Sequence, residues 1–175
     1  MKLLGSVCLM TVLVIASIGA SGLTYSKPAD WKPVATTSSM RVAQFAIPHA
    51  AADTADAELV VYYFGGSGGS VEANIERWIG QMQQPDGRPS SAIAKRSTRT
   101  VNGLAVTLVD VSGTYVAEMM PGAAARHNSP NYRLRAAVVT TPNGPYFVKL
   151  TGPAATIAAA EKAFEQFLAS VKYEP

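Results

Sequence analysis

Cysteine is almost absent from this chain. Cys8 is the only cysteine among 175 residues, and it lies close to the N-terminus. The chain beyond it therefore has no disulfide, no thiol nucleophile and no cysteine ligand for zinc. A domain of about 150 residues can bury enough apolar surface to fold without such cross-links.

Histidine is scarce as well. His49 and His127 are the only two, and each stands alone in a predicted loop. A metal at His49 would need Asp53 or Asp56 beside it in space, and nothing in the spacing requires that arrangement. We therefore predict neither a metal site nor another cofactor.

Residues 1–22 have the pattern of a signal peptide. Lys2 precedes a long apolar run without charge, and Ala-Ser-Gly at 20–22 supplies the small residues of a signal-peptidase site. An uncleaved membrane anchor is the alternative, because about 18 apolar residues can just span a bilayer. The sequence thus predicts export, with the mature chain in the periplasm or tethered to the membrane.

Residues 23–38 read as a linker that leads into a single domain over residues 39–175. The segment contains two Lys-Pro pairs and no hydrophobic periodicity. Trp31 lies within it, and we expect this side chain to dock on the domain.

The strands of the domain are predicted from hydrophobic runs and turn signals. The first two strands are "MRVAQFAI" at 40–47 and "LVVYYF" at 59–64, and the second is apolar on both faces, which is typical of a central strand. Asn102-Gly103 and Asn143-Gly144 each separate two strand-like runs, so both pairs predict hairpins.

Two amphipathic segments predict helices over 70–83 and 154–171. Ser70 is a suitable N-cap for the first of them. The element order ββαββββα predicts an α+β domain whose antiparallel sheet of about six strands is flanked by the two helices. The predicted core consists of Leu59, Val61, Tyr63, Ile75, Trp78, Ile79, Val106, Leu108, Val138, Phe147, Phe164 and Leu168.

The glycine-rich loop at 65–69, Gly-Gly-Ser-Gly-Gly, lies between a strand and a helix. It lacks the lysine of a phosphate-binding P-loop and the glycine spacing of a dinucleotide-binding motif. It does fit G-x-S-x-G, and Asp110 and His127 follow Ser67 in the order of an α/β-hydrolase triad. A small serine hydrolase using these three residues is therefore the alternative function.

Two features weigh against the hydrolase. The hairpin-rich order does not build the parallel sheet that carries a nucleophile elbow, and four glycines in five positions match any glycine motif easily. The structural interpretation is that the glycines turn the chain tightly off a central strand.

Positive charge is concentrated in the middle of the chain. Residues 88–135 contain seven Lys or Arg against only Asp110 and Glu118. Such a segment can face anionic lipid, an anionic envelope polymer or an acidic region of an envelope protein. Nucleic acid is not an expected partner, because no aromatic residues are interleaved with the basic ones.

Two pairs of these basic residues are candidates for a binding patch. Lys95 and Arg99 share one face of a predicted strand, and Arg133 and Arg135 share one face of another. The alternative interpretation is a solvated surface whose charges protect strand edges from aggregation.

A long loop at 118–130 adds an apolar component. It carries Met119 and Met120, whose side chains adapt readily to a partner surface. We include both methionines in the candidate binding surface.

Four segments, "MRVAQFAIP", "VYYFGGSGG", "ANIERWIGQ" and "YFVKLTGP", resemble an uncharacterised family of exported bacterial proteins over residues 31–170. More distantly, the element order resembles the PsbP-like fold, whose members are mostly accessory and binding modules. The resemblance supplies no catalytic residues. It implies a non-catalytic binding or accessory module of the cell envelope, which contacts a protein or an anionic component.

Overall fold

The computed structural model describes residues 22–36, 38–120 and 122–174. Its strands are β1 (Leu23–Thr24), β2 (Lys32–Pro33), β3 (Arg41–Ile47), β4 (Ala57–Tyr63), β5 (Met82–Gln83), β6 (Lys95–Val101), β7 (Leu104–Tyr115), β8 (Ser129–Thr141), β9 (Gly144–Pro153) and β10 (Lys172–Tyr173). Its helices are α1 (Val71–Ile79), α2 (Ala154–Ala159) and α3 (Glu161–Ser170), and a short 3₁₀ turn covers Ser90–Ala92.

The main sheet is antiparallel throughout and runs in the order β2-β3-β4-β9-β8-β7. Both β5 and β6 pair with β7, at opposite ends of that long strand, and β1 pairs with β10 in a separate two-stranded sheet. The predicted α+β architecture is confirmed. The main sheet has eight strands rather than about six, because β2 and β5 are two-residue pairings too short to show periodicity in the sequence.

The first predicted hairpin forms as expected. Asn102 and Gly103 have φ values of 47° and 83°, the left-handed geometry that a tight two-residue turn between β6 and β7 requires. The second hairpin also forms, but Gly144 already pairs with Thr141, so its loop is Pro142 and Asn143. Proline fixes a negative φ, which excludes the turn geometry of the first hairpin.

Helix α1 begins as predicted and ends earlier. The Ser70 side chain accepts a hydrogen bond from the Ala73 amide, and the helix ends at Ile79 with Gly80 as its C-cap. Beyond Gly80 the chain extends, and Met82 pairs with Tyr115 of β7. Met82, which falls within the predicted helix over 70–83, is instead buried through this strand pairing.

The predicted C-terminal helix is two helices. Helices α2 and α3 meet at Ala160, where a short turn separates them. Both pack on the face of the sheet opposite to α1, and Ile157, Phe164 and Leu168 are buried there.

The sheet therefore has a core on each face. One core lies under α2 and α3, and the other lies under α1 around Ile75, Trp78 and Phe147. All residues of the predicted core are buried except Tyr63 and Leu108, which are partly exposed.

The segment before the first long strand packs as part of the domain rather than as a free linker. Leu23, Tyr25 and Trp31 are buried, and the Trp31 ring lies 6.0 Å from Phe45 and 5.4 Å from Phe167 between centroids. Trp31 thus docks as expected. The two Lys-Pro pairs remove the hydrophobic periodicity of this segment from the sequence. Single apolar side chains such as Trp31 can still pack on the domain.

The predicted signal peptide or anchor falls outside the described residues except for Gly22. Within residues 22–36, 38–120 and 122–174, no helix has the length and apolar character needed to cross a membrane.

Candidate functional site

A cleft of about 750 Å³ opens on the face of the sheet that carries α1. Its floor is formed by β9 and β4, and its walls are the end of α1 and loop residues 117–119 and 126–127. We call it the Lys149 cleft, after the lysine at its floor. Lining residues include Glu58, Tyr62, Arg77, Tyr115, Lys149 and Thr151.

The cleft exists because α1 is short. The helix covers the sheet around Trp78 and Phe147, whose rings meet edge to face at 6.2 Å. At Gly80 the chain leaves the helix, and the Gln81 carbonyl accepts a hydrogen bond of 2.9 Å from the Val116 amide. The sheet surface beyond that point, which includes Lys149, is left without a covering helix.

Lys149 is the unusual residue of the cleft. Its ammonium donates to Gln81 Oε1 at 2.6 Å and to the Tyr115 hydroxyl at 3.0 Å, and it lies 5.0 Å from the Tyr115 ring centroid. Within the described parts of the chain, no carboxylate lies at ion-pair distance from it.

The pKa of Lys149 is lowered to about 8, chiefly because burial disfavours the charged ammonium. The positive charges of Arg77 and Arg41 act in the same direction, whereas Glu58 raises the pKa. A strongly perturbed lysine in a cleft marks a candidate functional site with a physical reason.

The floor of the cleft holds more hydrogen-bond donors than acceptors. Tyr115 accepts from Lys149, and burial raises the pKa of Tyr115 to about 12, so its hydroxyl keeps a proton to donate. Lys149 has three N–H groups and uses two of them on protein acceptors. The Thr151 hydroxyl is buried and has no partner among the described residues.

The rim carries charges of both signs. Arg41 lies 3.7 Å from Glu58, and Arg126 lies 3.3 Å from Glu118. Arg77 donates to the side-chain oxygen of Asn74, and within the described chain it forms no ion pair. Four cationic side chains, including Lys149, therefore line the cleft against two carboxylates.

The predicted basic residues lie on the opposite face of the sheet. Lys95, Arg99 and Arg135 border a depression of about 210 Å³ beside α3, so the structure brings these three together. Arg133 lies next to them, since its partner Asp110 borders the same depression.

Three carboxylates match the charge of these arginines. Asp110 receives two hydrogen bonds from Arg133, at 2.8 Å and 2.5 Å. Arg135 contacts Glu161 at 3.2 Å and Glu165 at 2.9 Å, and its side chain is only 10 % exposed. Arginines held this way connect the sheet to α3, and their role in binding stays a prediction.

The two methionines of the predicted binding surface lie at different places. Both are exposed to solvent, Met119 by 57 % and Met120 by 68 %, and only Met119 also lines the Lys149 cleft among the described residues. The loop that carries them is anchored by the Arg126–Glu118 ion pair and by a hydrogen bond from the Gly122 amide to Glu118.

Ser67, Asp110 and His127 do not form a triad. Asp110 is held by Arg133 on the α3 face, whereas the His127 ring lies tilted against Tyr115, 5.1 Å away between centroids, in the Lys149 cleft on the α1 face. The sheet is antiparallel, so the loop is not a nucleophile elbow.

The glycine loop has a packing role. A Cβ on Gly68 would lie 2.6 Å from a Phe147 ring carbon and 2.8 Å from a Phe64 ring carbon. The loop must therefore pass directly over these rings, and this requirement explains one of its four glycines. Among the described residues, no group of three or more His, Cys, Asp or Glu is placed to hold a metal ion.

Sequence reasoning missed the Lys149 cleft. One signal was available, because Lys149 is the only charged residue in the strand "GPYFVKLTGP". A single lysine inside a strand that is otherwise apolar and central points to a polar site on one of its faces.

The comparisons with known proteins identify the fold. No family model matches this sequence, and no curated protein matches it either. The resemblance to a family of uncharacterised exported proteins therefore stays a prediction.

Solved structures do resemble it. CyanoP, the PsbP protein of Synechocystis sp. PCC 6803, superposes with a TM-score of 0.55 at 13 % identity, over 98 % of this chain and 99 % of that one. LpqN of Mycobacterium tuberculosis, which is involved in cell envelope biogenesis, gives 0.52 at 11 % identity, over 87 % and 83 % of the two chains. PA94 of Pseudomonas aeruginosa, a protein of unknown function, gives 0.52 at 16 % identity, over 75 % and 82 %.

The distant resemblance to the PsbP-like fold is thus confirmed. At these identities the likeness concerns the fold alone.

Proposed function

We propose that this protein is an exported, non-catalytic accessory module of the cell envelope, and that it binds an anionic envelope component in the Lys149 cleft. The observation that carries the proposal is the ammonium of Lys149, which lies at the floor of an open cleft and has no carboxylate partner among the residues that the structure describes. Removing an ammonium from water is costly unless an opposite charge compensates it, so an anionic ligand is the natural complement.

The size and position of the cleft agree with a ligand site. A volume of about 750 Å³ lies within the range of small-molecule pockets. Arg77, which forms no ion pair among the described residues, adds positive charge at its wall, which would attract an anion before it reaches the floor.

The envelope location rests on two supports. The sequence predicts an export signal at residues 1–22, and the structurally similar LpqN is involved in cell envelope biogenesis. A binding role agrees with the placement of Ser67, Asp110 and His127, which cannot act together as a triad.

Capture from a solubilised envelope fraction tests the proposal. The full-length protein is purified under mild conditions as wild type, Lys149→Met and Lys162→Met, and the retained components are identified by mass spectrometry. Lys162 is exposed on α3, so its variant removes the same charge from the other side of the molecule. We expect wild type and Lys162→Met to retain the same anionic component and Lys149→Met to lose it.

A fourth variant, Lys95→Met, tests the predicted basic patch in the same experiment. Equal retention by wild type and Lys149→Met would contradict the proposal. Loss in Lys95→Met together with retention in Lys149→Met would move the binding site to the α3 face.

A further inference from the structure

We propose that the Lys149 cleft recognises a hydroxyl-rich acid, such as a sugar acid or a sugar phosphate. Its acidic group would lie against Lys149 at the floor, and its hydroxyls would reach Glu58 at the rim. This inference rests on the proposed function, which makes the cleft the ligand site, and it names the class of ligand.

The floor favours a ligand rich in acceptors. The third N–H of Lys149 and the hydroxyl proton of Tyr115 have no acceptor among the described residues. Carboxylate and phosphate oxygens carry several lone pairs and form their strongest hydrogen bonds with charged donors. One acidic group can therefore satisfy both donors.

The rim favours a ligand that also donates. Glu58 Oε1 accepts from Gln44 at 2.6 Å and faces Arg41, whereas Glu58 Oε2 has no hydrogen-bond partner among the described residues. An ionised carboxylate accepts hydrogen bonds and donates none. A hydroxyl on the ligand fits this position, but a second acidic group or a hydrocarbon chain does not.

The strand register places Lys149 and Glu58 near each other on one face of the sheet. Lys149 pairs with Val60 and Thr151 pairs with Glu58 in the β4–β9 ladder, so Lys149 and Glu58 are diagonal neighbours. The Cα atoms of diagonal neighbours in an antiparallel pair lie about 7–8 Å apart. A single small ligand in the cleft can therefore contact both residues.

The charge of the cleft favours an anionic ligand over other polar ligands. Arg41, Arg77, Arg126 and Lys149 line it against only Glu58 and Glu118, so a net anion is attracted more strongly than a zwitterion such as an amino acid. A neutral sugar would supply hydroxyls to Glu58, yet it would leave the Lys149 ammonium without an anion.

Isothermal titration calorimetry on the full-length protein at low ionic strength tests this class. The probes are glucuronate and glucose 6-phosphate, with glucose, acetate, inorganic phosphate and octanoate as partial ligands. We expect both sugar acids to bind at least about tenfold more tightly than any partial ligand, because only they satisfy floor and rim together.

Two variants separate the contribution of Lys149 at the floor from that of Glu58 at the rim. Lys149→Met should weaken binding of both sugar acids by about tenfold or more. Glu58→Gln should weaken binding of the sugar acids and leave the weak binding of acetate and phosphate unchanged. Lys162→Met is the matched control and should bind as wild type does, and the thermal midpoint of each variant shows that it is folded.

Polygalacturonate distinguishes the source of the acid. Binding of this polymer that depends on Lys149, without binding of the monomers, supports an acidic sugar within an envelope polymer. Binding of the monomers alone supports a free sugar acid.

The inference is overturned if no sugar acid and no acidic polymer binds, if octanoate binds as tightly as glucuronate, or if Glu58→Gln has no effect. Capture from the envelope that still depends on Lys149 would then leave the proposed function standing with a different class of anion. Capture that does not depend on Lys149 would remove the proposed function itself.

Discussion

At the scale of single residues, Lys149 combines a position in a central, buried strand with a charged side chain, and these two properties conflict. It sits in the central strand β9, between Val148 and Leu150, which are completely buried, and it carries an ammonium toward the cleft. Gln81 and Tyr115 supply hydrogen bonds but no negative charge. The folded protein therefore holds a charged group at a cost in stability, and this is common where a residue is placed for binding.

The pKa of Lys149 predicts a rise of stability with pH. Its pKa is about 8 in the folded protein and near the ordinary value of 10.5 when unfolded, so between these values the unfolded chain binds more protons. The free energy of unfolding then increases with pH by up to about 1.4 kcal/mol per unit, or about 2 kcal/mol between pH 8 and 10. Urea titrations at several pH values between 8 and 10 measure this change in the free energy of unfolding.

The opposite trend begins above pH 10. Burial raises the pKa of Tyr25 and of Tyr115 to about 12, so the folded state keeps protons that the unfolded state loses, and stability falls. Lys149→Met should lack the rise below pH 10 and keep the fall above it. A rise of equal size in this variant would show that another group is responsible.

At the scale of elements, charges hold α3 to the sheet. Arg135 of β8 contacts Asp110 of β7 at 3.4 Å and two glutamates of α3, and its guanidinium lies 5.3 Å from the Phe164 ring. Arg99 of β6 reaches Glu165 at 2.7 Å from a more exposed position. The two arginines thus share an acidic partner and differ in burial.

This difference predicts unequal effects of two alanine substitutions. Arg135→Ala removes a buried cation from three carboxylates, so we expect a loss of about 3 kcal/mol in the free energy of unfolding. Arg99→Ala removes a solvent-screened pair, with an expected loss below about 1 kcal/mol. Chemical denaturation measures the free energy of unfolding of both variants. Equal losses would mean that burial does not determine how much each arginine contributes to stability.

At the scale of the whole molecule, the N-terminal segment closes the core under α2 and α3. Trp31 is 1 % exposed and lies between Phe45 of β3 and Phe167 of α3, while Leu23 pairs with Tyr173 near the C-terminus. The two ends of the described chain therefore meet in one small sheet.

This packing predicts that Trp31→Ala costs about 3–5 kcal/mol of stability, because it leaves a large cavity against two aromatic rings. Met120→Ala removes an apolar side chain that is mostly exposed, and it should change stability by less than about 0.5 kcal/mol. Thermal unfolding measures the stability of both variants against wild type. A neutral effect of Trp31→Ala would mean that residues 23–38 behave as a free linker.

The sequence by itself determined the elements that local patterns encode. The α+β class, the strand pairs joined by turns, the N-cap at Ser70 and almost all of the core follow from periodicity and turn chemistry. Such signals arise within a few neighbouring residues, so they can be read without knowing the fold.

Only the tertiary structure decided how distant residues meet. It pairs Arg133 and Arg135 with Asp110, Glu161 and Glu165, which their sequence positions do not reveal. It also gathers Lys149, Gln81, Tyr115 and Glu58 around one cleft from four separate segments. The physical reason is that strand order and helix length determine which surfaces of the elements lie against each other. Whether a lysine lies next to a carboxylate depends on these surfaces, which distant parts of the sequence supply.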